Sequence, residues 1–348
     1  IKTLCHNGFG GILADDMGLG KTLQVIAFLL SEYLDKYSGF DAGQHFALIV
    51  TPASLVYNWQ SEVARFAPEL TAVTITGTGA EREKRIRTAP GQAILITSYD
   101  LLKRDLELYE DMNFAYQIID EAQFIKNHGT QAAKAVKEIR AGFRLALTGT
   151  PIENRLSELW SIFDYLMPGF LFSNQRFRQE FENRIVKEQD EQAISRLQKM
   201  TAPFILRRLK GDVLKDLPDK IEENRCVPLE GQQQKLYDAH VKRLRMTLEK
   251  ETDADFVSSK IQILAELTKI RQICCDPGLI FEGYEGESVK LDLCVQMVKN
   301  AVENGHKVLL FSQFTSMLAR IQEELKKEGI AFYSLTGAVS KEMRKHLV

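Results

Sequence analysis

Cysteine is scarce, and none of it is arranged to bridge or bind. Cys5, Cys226, Cys274, Cys275 and Cys294 are the only five in 348 residues, with no C-x-x-C pair among them. That argues against a disulfide scaffold and against a zinc site. The adjacent Cys274 and Cys275 are expected as buried, reduced packing, in keeping with a reducing cytosol. No apolar run is long enough to span a membrane. Neither sign of charge dominates: 45 Lys and Arg stand against 47 Asp and Glu, a formal net charge of -2. A global field pulling the molecule onto nucleic acid is thereby excluded, so any such contact has to come from a local surface. No charged leader precedes Ile1, and Val348 follows directly on a strand-turn-helix pattern that has only begun. Both ends are expected to be cuts from a longer chain. What remains is ordinary globular composition, 45% hydrophobic and 26% charged, with length for about two or three domains.

Residues 10 to 170 alternate short apolar runs with helical patterns. The runs are GGILAD (10–15), FALIVT (46–51), AVTIT (72–76), AILITS (93–98), YQIIDE (116–121) and RLALTG (144–149). Continuous β-branched runs suit strands covered on both faces. Between them Leu23, Ile26, Leu30 and Tyr33 fall at helical spacing, as do Leu55, Trp59, Val63 and Phe66. The pattern predicts a doubly wound α/β domain with its ligand at the carboxyl ends of the strands.

The stretch GILADDMGLGKTLQ (11–24) ends in the Gly-Lys-Thr of a phosphate loop, with Asp15 where the usual pattern has glycine. Its setting, an apolar run, a Gly-rich turn and a helix starting near Lys21, is what a triphosphate cradle requires. Met17, Gly18, Leu19 and Gly20 would wrap phosphate, Lys21 would reach the β and γ oxygens, and Thr22 would ligate Mg²⁺. Asp15 is expected at the mouth of the loop, away from the anion. A Gly-rich turn capping a core helix is the alternative. A second element, QIIDEAQ (117–123), ends an apolar strand in Asp120 and Glu121. A strand-end Asp can hold Mg²⁺ and a neighbouring Glu can orient or deprotonate water; capping of a helix start is the plainer reading. The expected arrangement places this dyad and Lys21 on neighbouring strands. In LTGTPIENRLSELW (147–160), Thr148, Gly149 and Thr150 stand at a strand end before Pro151. Their hydroxyls could sense the phosphate state, or the segment could be a simple turn.

These blocks, with LIVTPASLVYNW, ILITSYDLL, FILRRLKGDVLKDLP and KVLLFSQF, occur in the order found in Swi/Snf-type ATPases of the helicase superfamily, which the chain resembles over nearly its whole length. The resemblance implies two RecA-like lobes, the second incomplete, with a helical insertion between them. ATP and Mg²⁺ would be the cofactors, clamped between the lobes, and double-stranded DNA would lie across both. It implies phosphate-loop roles for Gly18, Gly20, Lys21 and Thr22, and Mg²⁺ and water roles for Asp120 and Glu121. Coupling would fall to Gln123, where many relatives have His, together with Thr148, Gly149 and Thr150. Thr51, Pro52, Ser54 and Trp59 lie in a DNA-tracking block, as do Thr97, Ser98 and Tyr99; the ring of Trp59 is expected to be core.

Residues 1–170 are expected as the first lobe, 171–285 as helical protrusions and connector, and 286–348 as the start of the second lobe. Ile263, Leu267, Ile270 and Cys274 form a helical stripe, and Lys242, Arg243 and Arg245 a basic run that reads as a solvated face. Arg207, Arg208, Lys210 and Lys215 lie in the connector, which ends at Pro218. In the last part a helix (Leu291, Val295, Val298) precedes the strand KVLLFS (307–312). A second helix at about 315–327 leads to the strand AFYSLTG (331–337), and another begins at Ser340. Phe311, Ser312, Gln313, Thr336 and Gly337 would face DNA. The expected activity is Mg-ATP hydrolysis coupled to movement along duplex DNA. An RNA helicase, a restriction-type translocase or a nucleotide-gated binder without turnover are the alternatives. DNA-bound proteins such as RNA polymerase are the expected protein partners, with no membrane contact and a monomeric state. The setting would be cytoplasmic in a bacterium and nuclear in a eukaryote. Arginines reaching the ATP site are expected beyond Val348, and such a residue is worth about 10³–10⁵ in rate. The adenine-reading segment is expected before Ile1. The chain by itself is therefore expected to be nearly inactive.

Overall fold

Six apolar runs enter one parallel sheet in the computed structural model, which describes residues 1–36, 44–150, 155–216, 218, 220–250, 253–339 and 343. The strands are β1 (Gly11–Leu13), β2 (Gln44–Thr51), β3 (Ala72–Thr74), β4 (Ile94–Ser98), β5 (Asn113–Ile119) and β6 (Arg140–Leu147), joined by a two-residue β7 (Ile205–Leu206). Their order is β3-β4-β2-β5-β6-β1-β7, and every pairing is parallel. Alternate side chains supply two apolar layers. In β2, Leu48 and Val50 join one, Ala47 and Ile49 the other. The second layer receives the helices Lys21–Lys36 and Val56–Phe66 through Val25, Ile26, Phe28, Leu29, Trp59 and Val63. The first receives Gln131–Glu138 and Leu156–Leu166, and Leu171, Phe177, Phe181, Ala193 and Leu197 extend it past residue 170. This is the doubly wound α/β architecture that the strand-helix alternation predicts.

The expected stripe on Lys21–Lys36 is rotated. Leu23 is exposed, because two adjacent pairs, Val25 with Ile26 and Phe28 with Leu29, turn the buried face away from it. Phe66 is exposed for a related reason: the helix ends there and Ala67 is the residue that is buried.

The chain divides into two units, Ile1–Asp219 and Lys220–Val348. In the second, helix Gly231–Lys250 packs on Asp253–Cys275, and Gln233, fully buried, donates to the carbonyl of Ile273 at 2.8 Å. Helices Val289–Glu303 and Thr315–Lys327 enclose Leu291, Val298, Met317, Ile321 and Leu325. The segments 307–312 and 331–336 form no helix and join no ladder among the described residues, and Gly337 stands in a turn. Leu310, Phe314, Ile330 and Phe332 lie against the small core, while Leu309, Phe311 and Tyr333 point to solvent. The period of two predicted for strands is thus present; the hydrogen-bonded neighbour that makes a strand is not found among the described residues. Apart from Met343, the helix expected from Ser340 lies outside the described residues. No described helix is long and apolar enough to cross a membrane.

Candidate nucleotide site

The carboxyl edge of the sheet gathers the predicted site. Leu13 is in register with Leu147, Ala146 with Ile119, and Val50 with Ile119 on its other side. The residues that follow, Ala14, Thr148, Asp120 and Thr51, therefore emerge along one rim. β1 and β5 are not neighbours, however. β6 lies between them, bonded to β5 on one side and β1 on the other. Lys21 and the Asp120–Glu121 dyad thus rise from strand tips about 10 Å apart, two strand spacings, rather than from adjacent ones. Thr148 stands between them, in the gap that a metal-bound triphosphate would bridge.

The loop after β1 is built around two glycines in the left-handed region, Gly18 at φ +89° and Gly20 at φ +73°, where a side chain would be strained. Helix Lys21–Lys36 starts immediately after, so its first N–H groups face the loop. Lys21 Nζ donates to the carbonyl of Asp15 at 2.7 Å and reaches that of Asp16 at 3.5 Å. Met17 is exposed at the rim, and Leu19 N–H donates to the Asp16 carbonyl at 3.3 Å.

Asp15 does not stand at the mouth. Its side chain is fully buried and turned away from the loop, onto Arg208 in the segment after β7. Arg208 Nε lies 3.1 Å from both carboxylate oxygens, its Nη2 bonds Oδ2, and its backbone N–H donates to Oδ1 at 3.0 Å. Burial alone would raise the pKa of Asp15, but these bonds and the guanidinium charge hold it below the usual carboxylate value. Gln24 completes the cluster. Its amide donates to Asp15 Oδ2 and to the carbonyl of Leu19, both at 3.1 Å, and accepts from Arg208 Nη2 at 2.7 Å. Asp16 in turn accepts the backbone N–H of Lys210 at 2.9 Å. Sequence reading missed Gln24 and the roles of Asp15 and Arg208. The only local signal was an acidic residue where the pattern has glycine.

Asp120 is buried, with a pKa raised first by that burial and further by the charge of Glu121, and opposed by a hydrogen bond from Trp59. Glu121 adopts a left-handed backbone, φ 52°, as Phe172 and Gln189 also do, a conformation that costs a non-glycine residue on the order of 1 kcal/mol or more. Its Oε2 accepts from Gln123 Nε2 at 2.8 Å, Gln123 Oε1 accepts from Thr148 Oγ1 at 3.2 Å, and Thr148 Oγ1 accepts the N–H of Thr150 at 3.1 Å. The dyad and the block after β6 are thus wired together; Gly149 lies between the two threonines, and Pro151 is outside the described residues. Oxygen donors of this kind, the Thr22 hydroxyl and the Asp120 carboxylate, suit Mg²⁺, which binds through one or two carboxylates and substrate phosphates.

The strand-end residues expected at DNA divide by position. Thr51 and Thr97 are fully buried and Ser98 nearly so; Ser98 Oγ caps the turn Tyr99–Leu102 by accepting from Leu101 N–H. Pro52 is half-buried and Ser54 exposed. In the second unit Phe311 is exposed, Ser312 Oγ accepts from Phe314 N–H at 3.2 Å, Gln313 accepts from Arg271, and Thr336 accepts the N–H of Val339 at 3.2 Å through its carbonyl. Gly337 is exposed. Lys242, Arg243 and Arg245 lie on the solvent side of Gly231–Lys250.

Comparison with known proteins adds to this geometry. The family model of the SNF2-related domain matches residues 1–279. An "uncharacterized ATP-dependent helicase" of Mycoplasma pneumoniae is 38% identical over the full chain, which spans 32% of it. A "putative ATP-dependent helicase/translocase" of Bacillus subtilis is 36% identical over 99% of the chain, 38% of its own length. The solved "Sulfolobus solfataricus SWI2/SNF2 ATPase core in complex with dsDNA" superimposes with a TM-score of 0.56 at 35% identity, covering 99% of this chain and 71% of that one. The chain thus spans about a third of the length of these two curated relatives.

Proposed function

Starting from the fact that this chain belongs to the SNF2-related family, we propose that it forms the nucleotide-binding core of a DNA-stimulated ATPase that moves along duplex DNA. The observation carrying this reading is the rim of the sheet. There the Gly18–Lys21 loop and the Asp120–Glu121 dyad flank Thr148, and a hydrogen-bonded chain joins Glu121 to Thr150 through Gln123.

In this reading the loop amides and Lys21 bind the phosphates, with Lys21 exchanging its contact with the Asp15 carbonyl for the β and γ oxygens. Thr22 and Asp120 would hold Mg²⁺, which neutralises charge on the transferring phosphoryl group. Glu121 orients the attacking water, and its bond from Gln123 aims the carboxylate. Change at the γ-phosphate would reach Thr148 and Thr150 through that same amide. Pro52 and Ser54 would meet the sugar-phosphate backbone of one strand, assisted by Phe311, Ser312, Gln313, Thr336 and Gly337. Such contacts position without reading sequence. The duplex-bound SWI2/SNF2 core among the similar structures favours DNA over RNA as the track, and DNA-bound proteins such as RNA polymerase are the partners a monomeric translocase would meet.

Steady-state ATPase assays on the complete protein, with and without duplex DNA, test the reading. Duplex DNA is expected to stimulate turnover, and Glu121→Gln to reduce it by about 10²-fold or more while nucleotide still binds. Stimulation by RNA alone would move the assignment to an RNA helicase. Nucleotide binding with no turnover under any condition would leave only a nucleotide-gated binder.

A further inference from the structure

Three buried side chains from outside the nucleotide loop converge on Asp120. The indole N–H of Trp59, a residue 1% exposed, donates to Oδ2 at 2.8 Å. The hydroxyl of Thr51 donates to the same oxygen at 3.3 Å. Tyr99 donates its hydroxyl to the backbone carbonyl of Asp120 at 2.7 Å. Thr51 ends β2 and Trp59 lies in the helix Val56–Phe66 that follows it, while Tyr99 opens the turn after β4. Neither block contributes to the phosphate loop.

The donor arithmetic is specific. A carboxylate oxygen has two lone-pair positions. Oδ2 has both filled, by an indole and a hydroxyl, whereas Oδ1 accepts, among the described residues, only the backbone N–H of Glu121 at 2.9 Å and keeps one position open. Rotation of the carboxyl group would break bonds at both oxygens. Tyr99 is also stacked on Phe124, with centroids 5.1 Å apart and planes 5° from parallel, and Phe124 lies in the turn Ala122–Ile125 that follows Glu121. A displacement of the β4 block would therefore move the backbone on both sides of the dyad.

We propose that Trp59, Thr51 and Tyr99 are positioning residues that aim Asp120 at the nucleotide through Oδ1, and that they connect the two strand-end blocks mechanically to the hydrolytic centre. The second half of this inference rests on the preceding reading of those blocks as the duplex-contacting surface. On it, a strand pressing on Pro52 and Ser54 adjusts Asp120 through Thr51 and Trp59, and this is how DNA stimulates turnover. A tryptophan serving only as core would be replaceable by phenylalanine with loss of stability and of nothing else.

Four variants of the complete protein decide between these roles: Trp59→Phe, which removes the N–H and keeps an aromatic ring; Thr51→Val, which removes the hydroxyl and keeps the shape; Thr51→Ser, which keeps the hydroxyl; and Tyr99→Phe. Mn²⁺, as a paramagnetic probe for Mg²⁺, is titrated into the ADP-bound protein and its affinity read by electron paramagnetic resonance. Duplex affinity is measured by fluorescence anisotropy, and ATPase with and without DNA. Trp59→Phe and Thr51→Val are expected to weaken Mn²⁺ about tenfold, as loss of a group orienting a metal ligand does, and Thr51→Ser to restore it. Duplex affinity should be unchanged in all four, while the ratio of DNA-stimulated to basal turnover falls in Trp59→Phe, Thr51→Val and Tyr99→Phe. Wild-type Mn²⁺ affinity and stimulation ratio in both Trp59→Phe and Thr51→Val would overturn the proposal, whatever their melting temperatures. If the parent protein showed no DNA stimulation, the functional reading would fall, and the Mn²⁺ titration would still judge the positioning role. Should Trp59→Phe not fold, the Thr51 pair carries the same comparison.

Discussion

At the scale of single residues, the phosphate loop departs from the usual pattern at Asp15, and the structure supplies the reason. A glycine there would leave Arg208 without a carboxylate partner; the aspartate clips the loop to the segment after β7, across 193 residues of sequence. Removing one partner of a buried pair costs about 3–5 kcal/mol, but Arg208 is 42% exposed. Solvent screening brings the expected loss for Arg208→Ala nearer to about 2 kcal/mol. The pH dependence follows from the lowered pKa of Asp15. A carboxylate whose pKa is lower folded than unfolded stabilises the protein above its unfolded value, and that stabilisation disappears as pH falls through the folded value. Urea unfolding should therefore show the full gap between parent and Arg208→Ala at neutral pH, narrowing once pH drops below the ordinary carboxylate range. An equal gap at both ends of the titration would show that the pair contributes through packing alone. Nothing in the local sequence around Asp15 announces this contact, because its partner lies at the far side of the sheet in sequence and beside it only in space.

At the scale of elements, the six runs were readable because strands covered on both faces are mostly apolar: β4 is buried at all five positions and β5 at every position but Asn113, and their polar residues are few. The two-residue β7 carries too little pattern to be seen. Sheet order was also not readable: the runs announce strands, but which strand lies beside which depends on how the crossovers cover them, and β6 separates β1 from β5. Thr51 and Thr97 were correctly placed at strand ends, yet a side-chain period of two does not say which end residues turn inward, and both are buried. Gln123 and Thr148 were legible as candidates; their bond through space was not. The tightness of β1 gives a test at this scale. A Cβ on Gly10 would lie 2.9 Å from the carbonyl oxygen of Arg144 and 3.0 Å from both the Leu166 carbonyl oxygen and Cβ. Two of those atoms are backbone, which does not yield as a side-chain tip would. Gly10→Ala is expected to destabilise by about 1–3 kcal/mol, the scale of overpacking, and to weaken nucleotide binding because β1 aims the loop. Gly211, which has nothing within 4 Å of such a Cβ, is the control: Gly211→Ala should fall within about 0.5 kcal/mol of the parent. Thermal melts of the pair, with and without Mg-ADP, measure both effects.

At the scale of the whole molecule, the residues proposed to hold phosphate and metal all lie in the first unit. Asp15, Lys21, Asp120, Thr148 and Arg208 all fall within Ile1–Asp219, together with the seven strands and both large apolar layers. A chain ending at Asp219 is therefore expected to fold cooperatively and to be stabilised by Mg-ADP, by about 2.7 kcal/mol at a hundredfold excess over Kd. The residues proposed to contact the duplex occur in each unit: Pro52 and Ser54 in the first, Phe311, Ser312, Gln313, Thr336 and Gly337 in the second. With a net charge of -2, the molecule has no overall field to hold DNA, and affinity has to come from individual phosphate contacts. Each neutralised phosphate steepens the plot of log affinity against log salt by about 0.9. The contacts named in the second unit carry no charge, so the complete chain and the first unit alone should give lines of equal slope on the same duplex, the shorter chain displaced to lower affinity. Neither slope should change when the base sequence is scrambled. A shallower slope for the shorter chain would place charged contacts in the second unit as well, and a slope that varied with sequence would mean that base edges, not phosphates, are being held.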